Sequence, residues 1–207
     1  MKILSSILMI GMLAGLASAN RNPVRFDANG QMILPDDYLI YQGLESAERG
    51  YNNDAMRQLK EASEFGNKDA QHMVGLLYLQ NGNNIQGYSW LKLAGTKVGK
   101  AVHLISGLES QMSEEDLLVA EQNLLEIEQE FGSKAAIKRR YKWKNSQRFV
   151  GSRIGGYVSP MADITLEDGN QVYGHTLKDS LEGFVFDYRY DRGEVILKDF
   201  DVIESDE

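Results

Sequence analysis

EFGNKDA at residues 64–70 and EFGSKAA at residues 130–136 nearly copy each other. Each reads as the end of one helix and the start of the next. A glycine just past a helix end takes the left-handed cap conformation that other residues adopt only at a cost. Asn67 and Ser133 follow the glycines and are good N-caps for a second helix. The phenylalanine before each glycine can anchor the turn, and Ala70 and Ala136 allow the second helix to approach a neighbour closely. Gly66 and Gly132 are 66 residues apart, and Gly99, in KVGKA, stands 33 from each. A helix–turn–helix unit recurring about every 33 residues is the mark of an α-solenoid, whose hairpins bury their apolar faces by stacking. Gly66, Gly99 and Gly132 are therefore the expected structural turns, with Gly66 and Gly132 at positive φ.

The repeat slips in places. Leu59 and Leu125 lie seven residues before their glycines, but Leu91 lies eight before Gly99. Ser113, with Asp116 three residues on, is positioned to cap a longer helix over residues 114–131. One clear unit, one partial unit and one degenerate, capping unit are expected. No proline interrupts the chain from Asp36 to Lys144, and apolar residues recur there at helical spacing. Residues 36–147 are thus expected to form a helical repeat domain, and residues 20–35, with two prolines and a glycine, an irregular lead-in.

Ala55-x-x-x-Leu59-x-x-Ala62, Gly66, then Ala70-Gln71-x-x-Val74-Gly75-x-Leu77-Tyr78 and Gly82 resembles a Sel-one-like repeat, a relative of the tetratricopeptide repeat. Trp90-Leu91-x-x-Ala94, Gly99 and Ala101 resemble the start of the next unit. The resemblance covers residues 53–107 and extends loosely to Lys144. Gly87 and Gly95 depart from it, standing where the family usually has alanine. The resemblance implies a scaffold or adaptor that holds another protein or peptide, and bacterial members are often exported. Some cysteine-rich secreted members are linked to β-lactam binding, but this chain lacks their disulfides.

The first 20 residues, MKILSSILMIGMLAGLASAN, carry one lysine, a short apolar run and Ala17-Ser18-Ala19. That is the layout of a cleavable signal peptide over residues 1–19, cut after Ala19, and it predicts a periplasmic or secreted protein. No cysteine follows the apolar run, which excludes a bacterial lipoprotein. With no cysteine anywhere, the fold stands on packing alone. Removing 19 of 207 residues leaves 188, with 21 basic and 30 acidic residues, a net −9 that argues against a nucleic-acid partner. No later segment is apolar enough to cross a membrane.

From Phe149 the text changes to glycines and alternating runs. Ile164 and Leu166 run into Asp168-Gly169-Asn170 and Val172, a hairpin signal. Phe184, Phe186, Tyr188 and Tyr190 alternate toward a turn at residues 191–193, suggesting a second hairpin, and VGSRIGGYV can add a strand. Residues 148–207 are expected to form a small antiparallel β module that packs on the last helices and ends in an acidic tail. The fold class is mainly α: a short helix–turn–helix solenoid followed by that module.

Nothing in the text predicts catalysis, and no catalytic, cofactor or metal residues are assigned. His72, His103 and His175 lack metal-ligand spacing, His175 standing at a predicted strand end. Asp36-Asp37 and Glu114-Glu115 sit at helix N-termini, where the dipole favours negative charge. Lys134 to Arg148 holds seven basic residues and no acidic one, with Lys138, Arg139, Arg140, Lys142 and Lys144 at its centre. That basic face reads as a solvated helix face, or as one that meets an anionic envelope surface or the acidic tail, residues 199–207. The expected function is an exported protein–protein interaction scaffold, its partner another protein or peptide of the cell envelope. A solenoid's concave face is the natural groove, and aromatics and arginines carry most interface energy. Tyr51, Arg57, Tyr78, Tyr88 and Trp90 are the candidate contacts, although Tyr78 and Trp90 match family positions that are commonly packed. The alternatives are a cell-envelope enzyme or enzyme inhibitor, and a structural envelope-binding protein that uses the basic helix.

Overall fold

The computed structural model describes residues 23–95, 101–149, 152–166, 169 and 171–186. The predicted signal peptide, Gly99 and the acidic tail lie outside them. Two strands, β1 (Arg25–Phe26) and β2 (Met32–Ile33), pair antiparallel within the lead-in, which is therefore not wholly irregular. Eight helices are described: α1 (Pro35–Glu48), α2 (Asn52–Ser63), α3 (Lys68–Gln80), α4 (Asn84–Ala94), α5 (Ala101–Gln111), α6 (Glu114–Phe131), α7 (Ser133–Ser146) and α8 (Gly174–Phe186). A second antiparallel pair, β3 (Asp163–Thr165) and β4 (Gln171–Tyr173), precedes α8 and places Ile164 opposite Val172. The chain is mainly helical with a small antiparallel sheet on its C-terminal side, as expected.

The structural repeat differs from the one the E-F-G stretches suggest. Hairpin α1–α2 and hairpin α3–α4 superpose in sequence at an offset of 32 residues. Gly50 at φ +79° and Gly82 at φ +75° cap α1 and α3 with the same bonds. Tyr51 donates its N–H to Ser46 C=O and Gly50 to Ala47 C=O, while Asn83 donates to Tyr78 C=O and Gly82 to Leu79 C=O. That is a Schellman turn repeated at one spacing. The helices of each hairpin also cross the same way. A Cβ on Gly43 would lie 2.8 Å from Leu59 Cγ, and one on Gly75 would lie 2.9 Å from Leu91 Cγ. The period is thus 32, its first unit starts at α1, and α4 ends at Gly95, with φ +89°, rather than at Gly99.

The two E-F-G turns are not equivalent. Gly66 has φ +85°, as expected, and Asn67 caps α3 by accepting the Ala70 N–H at 3.1 Å. Asn67 also donates to buried Asp36 Oδ2 at 2.7 Å, tying the start of α1 to the α2–α3 turn. Gly132, by contrast, has φ −71° and ψ 167°, and is itself the N-cap of α7, with Ser133 as the first helical residue. Its small size serves close approach instead of left-handed backbone: a Cβ there would lie 2.3 Å from Glu128 O. Ser113 caps α6 as expected, accepting the Asp116 N–H at 3.1 Å and donating to Asp116 Oδ2 at 2.8 Å.

After α5 the stack stops extending. Helix α6 lies on α4, and Ala120 is fully buried where Ser89 donates to its carbonyl at 2.7 Å. Phe131, at the end of α6, meets Trp90 edge-on with centroids 4.7 Å apart, in a core shared with Leu59, Val74 and Leu93. Helix α7 then returns to the first hairpin, where fully buried Arg140 donates to Phe65 C=O at 2.8 Å.

The predicted second hairpin is corrected in its first half. Phe184 and Phe186 belong to α8, and His175 is in that helix too. Leu177, Leu181, Phe184 and Val185 recur at helical spacing and are all buried, whereas Phe186 is 47 % exposed. A strand would have put both phenylalanines on one face; the stronger helical stripe decides otherwise. The second half of that hairpin lies outside the described residues. Residues 152–158 of VGSRIGGYV form turns, with Gly156 at φ +71°, and no strand. One cluster joins Leu39, Phe65 and Trp143 to Val158, Val172, Leu177, Leu181 and Phe184, so the sheet and α8 pack on α7 and on the first hairpin together.

Candidate functional site

Helix α2 has two faces. Ala55, Leu59 and Ala62 are buried, and the opposite stripe carries Asn53, Met56, Arg57, Lys60, Glu61 and Glu64. That stripe forms one wall of an open cleft of about 590 Å³. Tyr78 of α3, Gln86 and Trp90 of α4, and Ile127, Glu130 and Phe131 of α6 complete it. A neighbouring cleft of about 740 Å³, reaching Gly50, Tyr51 and Asn81, shares Asn53, Met56 and Tyr78 with the first. Tyr51, Arg57, Tyr78 and Trp90 therefore converge on one continuous surface.

Lys60 is the central cation. Its Nζ donates to Tyr78 Oη at 2.7 Å and lies 5.1 Å and 5.9 Å from the Tyr78 and Trp90 ring centroids. The Tyr78 contact is a hydrogen bond at the hydroxyl end of the ring, and the negative quadrupole of the Trp90 ring attracts the same cation. Arg57 is exposed and pairs with Asp54 at 3.2 Å and Glu61 at 3.3 Å. Arg139 links the glutamates of both E-F-G stretches, at 3.5 Å from Glu64 and 3.7 Å from Glu130, and also donates to Glu130 C=O. Burial pushes the Glu64 carboxyl above its usual range; Arg139 opposes this, and Glu130 and Glu61 add to it. Phe65 C=O accepts from Arg140, and Phe131 C=O accepts from Gln71 at 3.0 Å. The repeated stretch thus brings two glutamates to one arginine and two phenylalanine carbonyls to two buried donors.

The other predicted residues lie elsewhere. Tyr88 is buried among α4, α5 and α6, where its hydroxyl donates to Glu109 at 2.9 Å, so it is core and not cleft. Burial, then the Glu109 hydrogen bond, pushes its phenol up to about 12. Trp90, at 2 % exposure, serves the cleft only as its floor. The basic residues of α7 do not share one face: a helix turns 100° per residue, so a contiguous run points in every direction. Arg140 is buried, Arg139 faces the cleft glutamates, and Lys144 lies 3.8 Å from Glu182. Lys138 and Lys142 are exposed. Lys60, Glu64, Glu130 and Arg139 were not singled out from sequence as cleft residues, yet the glutamate common to both E-F-G copies was a signal for two of them.

No group of His, Cys, Asp or Glu suited to a metal ion occurs among the described residues. No helix among them is long and apolar enough to cross a membrane. The cleft offers an aromatic floor, a cation held against it, and a rim of paired charges. That arrangement can recognise an extended segment by stacking, hydrogen bonding and exchange of ion-pair partners. No known family model, curated protein or solved structure matches this chain.

Proposed function

We propose that this chain is an exported interaction scaffold of the Sel-one-like kind, which binds a peptide or an extended protein segment along α2 and performs no catalysis. The observation that supports it is the convergence of Tyr51, Arg57, Tyr78 and Trp90 on one open cleft with Lys60 and Glu64. Glu61, Glu64 and Glu130 of the cleft already pair with Arg57 and Arg139, so a basic residue of a bound segment takes its place by exchanging with one of those arginines, beside the apolar floor. A cationic ligand favours the ionised form of Glu64, whose carboxyl is raised in the free protein. Where the free protein holds Glu64 protonated, binding releases that proton, so affinity falls as pH drops through that range.

The test is affinity capture from a periplasmic extract with the wild type and with a Lys60→Glu/Glu61→Lys variant whose helical content is unchanged. A protein partner lost at least about tenfold in the variant, a change of about 1.4 kcal/mol, supports the cleft. A partner captured equally by both overturns it. Capture of wall or lipid material alone favours the envelope-binding reading. That reading retains fewer cations than the sequence suggests, because Arg139, Arg140 and Lys144 face the protein's own groups.

A further inference from the structure

Three cations of α7 are left facing outward. Lys134, Lys138 and Lys142 are four residues apart, so they form one stripe, and they make no ion pair among the described residues. Beside this stripe is a trough of about 600 Å³ between α6 and α7. Leu125 and Ala135 supply apolar surface, Lys134 and Lys138 form one side, and Glu128 is the one acid among the described residues of the lining. Leu125 is 62 % exposed, although a leucine on a packed helix normally gains by burial.

We propose that this trough holds the chain's own C-terminal segment, residues 199–207. The segment reads DFDVIESDE, with five carboxylates, no cation, and Phe200, Val202 and Ile203 among them. It matches the trough in both respects: apolar side chains for Leu125, and carboxylates for the lysines. The point of departure also fits. Phe186, the last residue of α8, lies edge-on to Tyr141 of α7 with centroids 5.5 Å apart. Tyr141 adjoins Lys142 and is seven residues from Lys134, roughly 10 Å along the helix. The 14 residues from Phe186 to Phe200 span up to about 45 Å when extended. The tether gives the tail an effective concentration on the order of millimolar, so a weak intramolecular contact is populated. Exposed charge pairs contribute about 0–1 kcal/mol each and are screened over about 8 Å at physiological salt. The contact therefore combines apolar burial with salt-sensitive pairing.

The chain has no cysteine, so two introduced thiols report on this contact alone. Gln129→Cys on α6 and Ser205→Cys in the tail are joined with a short bis-maleimide in the full chain. The expected product is an intramolecular link. Its yield falls at least about threefold when Lys134→Glu/Lys138→Glu is added, and similarly with Asp199→Asn/Asp201→Asn or in high salt. A free tail has the same tether in every variant, so an unchanged yield overturns the proposal. A linked dimer that grows with protein concentration overturns it in favour of a second copy. Vesicles of anionic phospholipid give an independent reading: deleting residues 199–207 should raise binding at least about threefold. Equal binding by the full and the shortened chain shows that the tail does not cover the stripe.

Discussion

Tyr88 shows how one residue's chemistry follows from its place. The side chain was a candidate contact because tyrosine is common at interfaces, yet it lies in the core with its hydroxyl on Glu109. Burial disfavours the phenolate, and two carboxylates nearby, Glu109 and Glu121, disfavour it further. The phenol is raised to about 12 in the folded chain, against about 10 unfolded. Its contribution is therefore fully present below about pH 10 and is lost as pH rises from there through the folded value. Titration by phenolate absorbance should show one late phenol in the wild type that is missing in Tyr88→Phe. The variant should also lose less stability on going from neutral to strongly alkaline solution. Equal losses in both would place Tyr88 in a solvated position.

At the level of elements, the hairpins are held by glycines that let helices touch. A Cβ on Gly75 would lie 2.9 Å from Leu91 Cγ and 3.2 Å from Gly87 O, and one on Gly87 would lie 2.3 Å from Leu79. Alanine at Gly75 gains about 1 kcal/mol of helix propensity. Crowding a packed contact costs about 1–3 kcal/mol, which outweighs that gain. Gly107, in α5, provides the comparison, because a Cβ there meets nothing within 4 Å. Gly75→Ala should lower the urea midpoint, and Gly107→Ala should raise it by the propensity gain alone. Two midpoints moving upward together would mean that α3 and α4 do not approach as closely as described. Gly87 and Gly95 have separate uses: Gly87 in this crossing, and Gly95 as the left-handed end of α4.

The whole molecule closes on itself where a solenoid would remain open. Helix α6 covers the second hairpin through Phe131 and Ala120, and α7 returns to Phe65. Phe184 of α8 completes the closure, 5.1 Å from the Trp143 ring and 5.7 Å from the Phe65 ring. Phe184→Ala should cost about 3–5 kcal/mol, the usual range for a buried phenylalanine. The chain's two tryptophans lie in different clusters, Trp90 under α6 and Trp143 at the seam with α8. Read separately in Trp143→Phe and Trp90→Phe backgrounds, both should report the same drop in midpoint on Phe184→Ala. A Trp90 signal that does not move would mark residues 148–207 as a unit that unfolds by itself.

Local signals settled much of this architecture. The Asn67 cap, the Ser113–Asp116 box, the left-handed Gly66 and the antiparallel pairing of β3 with β4 each depend on nearby residues, and all appear as read. The 32-residue period was also legible, as Gly43-Leu44, Gly50, Asn52, Leu59-Lys60 and Ala62 against Gly75-Leu76, Gly82, Asn84, Leu91-Lys92 and Ala94. The more conspicuous E-F-G spacing concealed it. Other matters required the tertiary structure. Gly132 follows the same text as Gly66 but takes extended backbone, because it opens α7 directly from the end of α6. Phe184 alternates like a strand residue, yet a buried seam of Leu177, Leu181 and Val185 draws it into a helix. Arg139 and Arg140 adjoin in one basic run, but one lies at the cleft and the other is buried. The cleft itself joins α2 to α6, more than 60 residues apart in sequence. Caps and turns are decided by bonds that close within a few residues. Which side chains become core, and which wall a cleft, depends on long-range packing that no local pattern encodes.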